Sequence, residues 1–381
     1  MSPLDNTRAL YLHWPFCPYR CSFCPFIALA SHDEFMQAYH EAMKREVEAF
    51  SQQLTTRPPL TSIFFGGGTP STYPDDLLLD MVAILRKLFV IADSEITIEI
   101  NPGTVKEGQL TRWRQAGINR LSIGIQSLND RVLHRLGRMQ TAKEALSLVT
   151  QAANHFDNLS VDLMLGLPGI APAEWKRTLA RIVALPIVHV SLYFLTIHET
   201  TPIYFEIERG NITLPAETEI VDLYHWSHDF LEQHGLMRYE LSNFARPGYR
   251  SRHNQVYWQR QPYRGFGISA SSFDGEQRTR NEKNIARYIE KIGHSESAVD
   301  FSERLTNEQV VTETLMLGLR CTSGVRLEEV TAYLPAKESQ QLHERISLLQ
   351  KRGLIIEKEG TVMLTRAGLV VENEVLAHLL R

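Results

Sequence analysis

"CPYRCSFC" (17–24) packs three of the chain's four cysteines into a single short loop. The order is Cys17, three residues, Cys21, two residues, Cys24, so the loop offers three thiols and no more. A structural zinc site closes with four ligands, and here it would have to recruit a distant histidine or Cys321. Ferredoxin-type iron–sulfur clusters also take four cysteines. Three therefore leave one iron without a protein ligand, and an open iron is a place where something reactive binds. A zinc knuckle and an open iron–sulfur cluster are both consistent with the spacing; the cluster fits it better.

The rest of the composition narrows the setting. A chain of 381 residues that is 43% hydrophobic supports one large core with a small appended domain. A formal net charge of −4, with no long lysine or arginine block, gives no electrostatic footprint for nucleic acid or an anionic membrane. No apolar run reaches the ~18 residues of a membrane span, and "MSPLDNTRALYLHWPFC" lacks the charged start and apolar middle of a secretory signal. The expected compartment is the cytoplasm, where thiols stay reduced and a cysteine cluster reads as metal-binding or catalytic. Lone Cys321 reads as a small buried hydrophobe.

Outward from the cysteines, strands alternate with helices. "ALYLHW" (9–14), "LTSIFFGGGTP" (60–70), "EITIEINPG" (95–103), "INRLSIGIQS" (118–127), "LSVDLMLGLPG" (159–169) and "VHVSLYFLTI" (188–197) read as strands. Helical patterns run over 33–50, 74–89, 105–117 and 142–154. Repeated strand–helix units predict a parallel sheet with right-handed crossovers, and six of them predict an α/β fold with a partial (β/α)6 TIM-like barrel. Chemistry in such barrels sits at the C-terminal ends of the strands.

Those strand ends hold the candidate residues. Gly66, Gly67, Gly68 and Thr69 follow the second strand, where glycines let backbone N–H groups approach a ligand, although three glycines alone are also a flexible turn. Glu99 ends the third strand, on one face with Glu95 and Thr97 and opposite Ile96, Ile98 and Ile100. A strand glutamate is ordinarily solvated; one facing into a barrel needs a partner, and ribose hydroxyls are good donors to it. Gln126 ends the next strand and Arg138 follows it. Asp162 lies in an apolar strand, where an unpaired carboxylate is costly.

C-x3-C-x-aromatic-C, with Phe23 as the aromatic, resembles the signature of radical S-adenosylmethionine (SAM) enzymes. The resemblance implies a [4Fe-4S] cluster on Cys17, Cys21 and Cys24. SAM would chelate the fourth iron through its amino and carboxylate groups and be cleaved to a 5'-deoxyadenosyl radical. It further implies that the GGGTP loop meets the SAM amino group, that Arg138 meets its carboxylate, and that Tyr11, Glu99, Gln126 and Asp162 belong to the SAM site. "YLHWPFC", "FFGGGTPS", "EINPGT", "NRLSIGIQS", "DLMLGLPG", "YELSNFARPGY" and "RHNQVYW" extend the resemblance over nearly the whole chain, to the coproporphyrinogen III oxidase-like branch and, within it, to the HemW family of haem chaperones. The oxidase has a long segment before its first cysteine and a fourth cysteine two residues after the third, where this chain has Phe26. Oxygen-independent oxidase activity is therefore not expected.

In "HNQVYW" (253–258), His253 is a candidate haem axial ligand or a structural histidine, and Tyr257 and Trp258 offer flat apolar surface with polar tips. His13 is expected to hydrogen-bond the cysteine loop. Against the family pattern, Pro25 replaces an aspartate, Trp14 an aliphatic residue, and Ser269 and Ser271 replace small residues; these changes are expected to line the active site. The expected divisions are a radical SAM barrel over 1–240, a connecting segment with HNxxYW over 241–302, and a small α+β winged-helix-like domain over 303–381. That last domain is read as a lid or docking module rather than a DNA reader, because phosphate contacts need clustered lysine and arginine. Implied partners are haem or a related tetrapyrrole, a haemoprotein recipient and a second copy of the chain. The rival functions are a haem chaperone, a radical SAM enzyme acting on a planar substrate (as a decarboxylase or a methyltransferase using two SAM), and a zinc-stabilised DNA-binding regulator.

Overall fold

The computed structural model describes residues 3–381. Six strands run in the expected order: β1 (Ala9–Trp14), β2 (Ser62–Gly67), β3 (Glu95–Ile100), β4 (Arg120–Gln126), β5 (Asn158–Leu165) and β6 (His189–Phe194). Each pairs in parallel with the next. β1 and β6 are not neighbours, so the barrel is open.

Strand parity decides what faces the interior. On β3, Ile96, Ile98 and Ile100 turn outward and are buried under the helices, while Glu95, Thr97 and Glu99 turn inward. β4 and β5 repeat the division: Leu121, Ile123, Ile125, Leu159, Val161 and Leu163 are fully buried on the helix side. Each such side chain contributes about 1.5–3 kcal/mol of hydrophobic stabilisation. The covering helices include Met36–Gln53, Asp75–Leu88, Gln109–Ala116, Ala142–Ala152 and Pro172–Val183. Asp75–Leu88 places Asp75 and Asp76 in its first turn and Arg86 and Lys87 in its last, both favourable to the helix dipole. Ala142–Ala152 opens on a capping box between Thr141 and Glu144. The helix expected from 105 begins only at Gln109, because Gly108 sits at φ 74°.

The sheet is larger than six strands. Residues 263–304 add β7 (Tyr263–Phe266), β8 (Ser271–Phe273), β9 (Gln277–Asn281) and β10 (Val299–Arg304) beyond β1. β7 pairs with β1 in parallel and the other three continue antiparallel. Asn243–Ala245 and Met237–Arg238 extend the opposite edge, giving a 12-stranded sheet.

The C-terminal part has its own core, centred on Val311, Leu315, Leu342, Ile346 and Val375. Helix Asn307–Leu319 is followed by strand Val325–Arg326, helix Ala336–Lys351 and the hairpin Ile355–Lys358/Thr361–Leu364. Glu359 and Gly360, at φ 52° and 74°, make the two-residue turn that such a hairpin needs. Arg366 ties this part to the barrel by hydrogen bonds of 2.8 and 2.9 Å to Asp229. Among the described residues no helix is long and apolar enough to cross a membrane.

One carboxylate holds the added strands to the first barrel helix. Buried Glu46 accepts from Arg264 Nη2 at 3.1 Å, Gly267 N at 2.9 Å, Asn281 Nδ2 at 2.7 Å and the Tyr288 hydroxyl at 2.7 Å. Removing it strands a partly buried guanidinium and three donors. Glu46→Ala is expected to lose about 3–5 kcal/mol of stability by urea denaturation, with Glu46→Gln losing less.

Candidate metal centre

The cysteine loop is clamped at its base and along its length. Phe16–Cys17 pairs in parallel with Leu29–Ala30. Ser22 N donates to Leu136 O at 2.9 Å, and Ile203 N donates to Ser22 O at 3.0 Å. Phe23 packs against the small apolar cluster of Val132, Leu136, Met164 and Ile203. The aromatic of the signature is thus an anchor that fixes the loop over the C-terminal ends of β4 and β5.

Cys17, Cys21 and Cys24 are free, half-buried, and open onto a cavity of about 450 Å³ at those strand ends. Thr69 Oγ1 lies 3.1 Å from Cys17 Sγ. Burial pushes the Cys17 thiol up to about 11 and raises Cys21, and Arg138 pulls both the other way. Such thiols give up their protons to a metal rather than to water. Among the described residues no three His, Cys, Asp or Glu side chains converge on one point as the ligands of a single ion would. In a four-iron cluster each thiolate serves its own iron, and the three cysteines around one cavity fit that group.

Phe23, Gly67, Gly68, Thr69, Glu99, Gln126, Arg138 and Asp162 border the same cavity, so the structure brings most of the sequence-derived site together. Arg138 is only 8% exposed, and its Nε and Nη1 meet no acceptor. A guanidinium buried in that state calls for an anion. Asp162 accepts from Ser122 Oγ at 3.1 and 3.2 Å, and burial raises its carboxyl. Gln126 holds φ 65° where the β4–β5 register shifts, which turns the strand end toward the cavity.

The glycine loop works differently from expectation. The N–H groups of Gly67, Gly68 and Thr69 donate to Glu99 Oε2, Trp14 O and Phe16 O at 3.2, 2.7 and 2.9 Å, so none is left to cradle a ligand. The glycines are required by close approach: a Cβ on Gly68 would stand 2.5 Å from Pro15 O, and one on Gly66 would stand 2.8 Å from the Tyr11 ring. A loop with its N–H groups engaged suits a ligand that donates, such as an amino group, through its carbonyl oxygens.

Several expected residues lie elsewhere. Tyr11 and Gly66 pack one layer below the cavity, with the Tyr11 hydroxyl 2.9 Å from His13 Nδ1. His13 meets the cysteine loop at the backbone of Ile27, three residues past Cys24, and burial lowers it to about 4; the hydroxyl of Thr69 is the group that hydrogen-bonds Cys17. His253 sits at the other end of the barrel. Its Nδ1 is 2.8 Å from Ser62 Oγ at the start of β2, its Nε2 is 2.8 Å from the Tyr257 hydroxyl, and its ring stacks on Phe64. Five residues of β2 separate that floor from the glycine loop, about 17 Å. With both nitrogens engaged and 1% exposure, His253 presents no ligand to an iron in this arrangement. Of the four positions expected to depart from the family pattern, Pro25 borders the cavity. Trp14 is a core residue stacked on Tyr73 at 3.6 Å, and Ser269 and Ser271 lie on the sheet extension around β8.

The sequence reading missed Tyr19, Asn101, Ser122 and Tyr193, which also border the cavity. Inward parity on β4 and β6 would have found Ser122 and Tyr193.

Glu99 carries the clearest pH signature. Burial, then the Asp162 charge, pushes its carboxyl up to about 8. Because the folded state binds this proton more tightly than the unfolded chain, its contribution to stability is full below about 4.5 and falls as pH rises to about 8. Thermal unfolding of the metal-free protein is expected to show that decline. Glu99→Gln is expected to flatten it; an unchanged slope would remove Glu99 as its source.

The radical SAM superfamily model matches residues 11–182, and the HemN C-terminal domain model matches 305–371. The haem chaperone HemW of Bacillus subtilis is 30% identical over 98% of this chain and 99% of its own length. HemW of a Synechocystis strain is 34% identical over 93% and 88%. The bovine mitochondrial radical S-adenosyl methionine domain-containing protein 1 is 32% identical over 95% and 87%. Among solved structures, the Escherichia coli coproporphyrinogen III oxidase HemN, a radical SAM enzyme, superimposes with a TM-score of 0.84 over 99% of this chain and 91% of its own, at 23% identity, a likeness of fold. With three thiols around one cavity, a buried arginine beside them, and relatives that match from end to end, the chain belongs to the HemW family of the radical SAM superfamily.

Proposed function

We propose that the protein is a haem chaperone that binds haem and passes it to a recipient haemoprotein, with a [4Fe-4S] cluster and SAM housed in the cysteine cavity. The observation that carries this reading is the end-to-end likeness to curated haem chaperones, with the cysteine cavity complete. Phe26, 68% exposed, stands where the oxidase of the same branch has its fourth cysteine. The cluster and SAM, both implied by the superfamily, supply one-electron chemistry when bound.

The chain's own residues divide the work of holding them. Cys17, Cys21 and Cys24 would hold the cluster, and Arg138 would take the SAM carboxylate through nitrogens that now lack an acceptor. Protonated near neutral pH, Glu99 would donate to one ribose hydroxyl while Asp162, beside Ser122, accepts from another. Trp14 and Tyr73 stack beneath Thr69–Thr72 and keep the glycine loop rigid, with Trp14 Nε1 donating to Thr72 Oγ1 at 3.1 Å. The cytoplasm, as a reducing compartment, suits a site built on free thiols.

A second reading, catalysis on a planar substrate, is favoured by the exposed aromatics Phe26, Tyr193 and Phe194 around the cavity mouth. Anaerobically reconstituted protein, given hemin, SAM and reductant and then apomyoglobin, separates the two. The chaperone binds hemin and restores the myoglobin spectrum while little SAM is consumed. Loss of haem with matching 5'-deoxyadenosine or S-adenosylhomocysteine would establish the second reading, and no haem binding at all would overturn both.

A further inference from the structure

Beneath the barrel, a cleft of about 820 Å³ opens between the C-terminal end of helix Arg252–Trp258 and the C-terminal domain. It is larger than the cysteine cavity and within the range of about 300–1,000 Å³ typical of small-molecule sites. One wall is Trp258 and Arg260; the other is Cys321, Arg326, Ala332 and Tyr333. Two features mark it as more than a seam between domains, the unpartnered donors of Trp258 and Arg260 and the exposed ring of Tyr333. Trp258 Nε1 and Arg260 Nη2 are buried in its wall without an acceptor. Arg260, at φ 50°, closes the helix in a left-handed cap, with Arg260 N donating to Tyr257 O and Gln261 N to Val256 O, which fixes the wall at this point. Tyr333, a large aromatic, is 43% exposed against the space.

Aromatic side chains from both walls supply flat apolar surface, and Trp258 Nε1 and Arg260 Nη2 supply donors for a carboxylate, while the guanidinium charges of the wall are paired, Arg260 Nε with Glu313 at 3.2 Å and Arg326 with Glu328. We propose that this cleft binds a planar, carboxylate-bearing ligand, which on the chaperone reading is the cargo tetrapyrrole, held apart from the cluster and SAM. That identification of the ligand rests on the proposed function; the cleft does not. Among its lining residues the one soft metal ligand is Cys321. The aromatic walls and the unpartnered N–H groups address the macrocycle and its carboxylates, and the proposal assigns no part to the iron.

The helix that carries Trp258 also joins the cleft to the barrel floor. At its start, His253 N donates to Glu95 Oε1 at 3.2 Å and the His253 ring meets Ser62, both at the floor of the barrel. Residues 251–261 thus reach from the barrel interior to the cleft wall.

The test is titration of the full-length protein with hemin and with metal-free protoporphyrin IX, followed by absorbance and tryptophan quenching. Wild type is compared with Ala332→Trp, which fills the cleft from an exposed position, and with Trp258→Phe, which keeps the ring and removes the N–H. Wild type is expected to bind both porphyrins with similar affinity. Ala332→Trp should weaken both by at least about tenfold, and Trp258→Phe by about tenfold, the worth of one hydrogen bond to a charged group. SAM binding should be unchanged in both variants, which reports an intact fold. Porphyrin binding unaltered in both variants would overturn the cleft assignment while leaving the chaperone reading standing. Wild-type protein that binds neither porphyrin would overturn the chaperone reading and the identification of the cargo together.

Discussion

Charged side chains inside an open barrel are tolerable only if they answer one another, and that constraint organises the interior. Arg120, 2% exposed, lies 3.9 Å from Glu95 at the barrel floor. Its charge also favours the ionised forms of Glu99 and Asp162 further up. Arg138, at the cavity, has carboxylates and thiols near it but two nitrogens without acceptors. The floor sets Arg120 against Glu95, with Arg120 Nε still short of a hydrogen bond, while at the top two guanidinium nitrogens of Arg138 lack an acceptor beside the cavity. An interior built this way holds its shape without a ligand and still gains from one at a single end.

Much of this was legible in the sequence, for physical reasons. Strand parity makes the inward row of β3 readable from "EITIEI", and the cysteine spacing is a local property of one loop. The sheet extension was not readable in the same way. β9 reads "QRTRN", polar on both faces, and β10 reads "VDFSER", where Val299 and Phe301 alone alternate, so neither carries a sustained apolar pattern. Asn281 at the end of β9 and Tyr288 on the helix that follows are held instead by the carboxylate of Glu46, more than 200 residues earlier in the chain. The role of His253 was also out of reach. Its chemistry permits an iron ligand, and only the tertiary packing of Ser62, Phe64 and Tyr257 around the ring assigns it to the floor.

The glycine loop shows the same limit on a smaller scale. Three consecutive glycines signal backbone approach, but not what approaches. Here it is the chain segment Trp14–Phe16, pressed against the loop so that Cys17 leaves it at a fixed point beside Thr69. The cysteine loop, the glycine loop and the aromatic stack of Trp14 on Tyr73 therefore form one rigid unit, and Trp14 acts on the site through that packing.

The central claim is that three thiolates hold a four-iron cluster whose remaining iron is kept for SAM. Electron paramagnetic resonance of the reduced, reconstituted protein with and without SAM tests it most directly. The account predicts a reduced [4Fe-4S] signal that depends on Cys17, Cys21 and Cys24 and changes shape when SAM is added. A colourless zinc protein, or a cluster signal indifferent to saturating SAM, would contradict it.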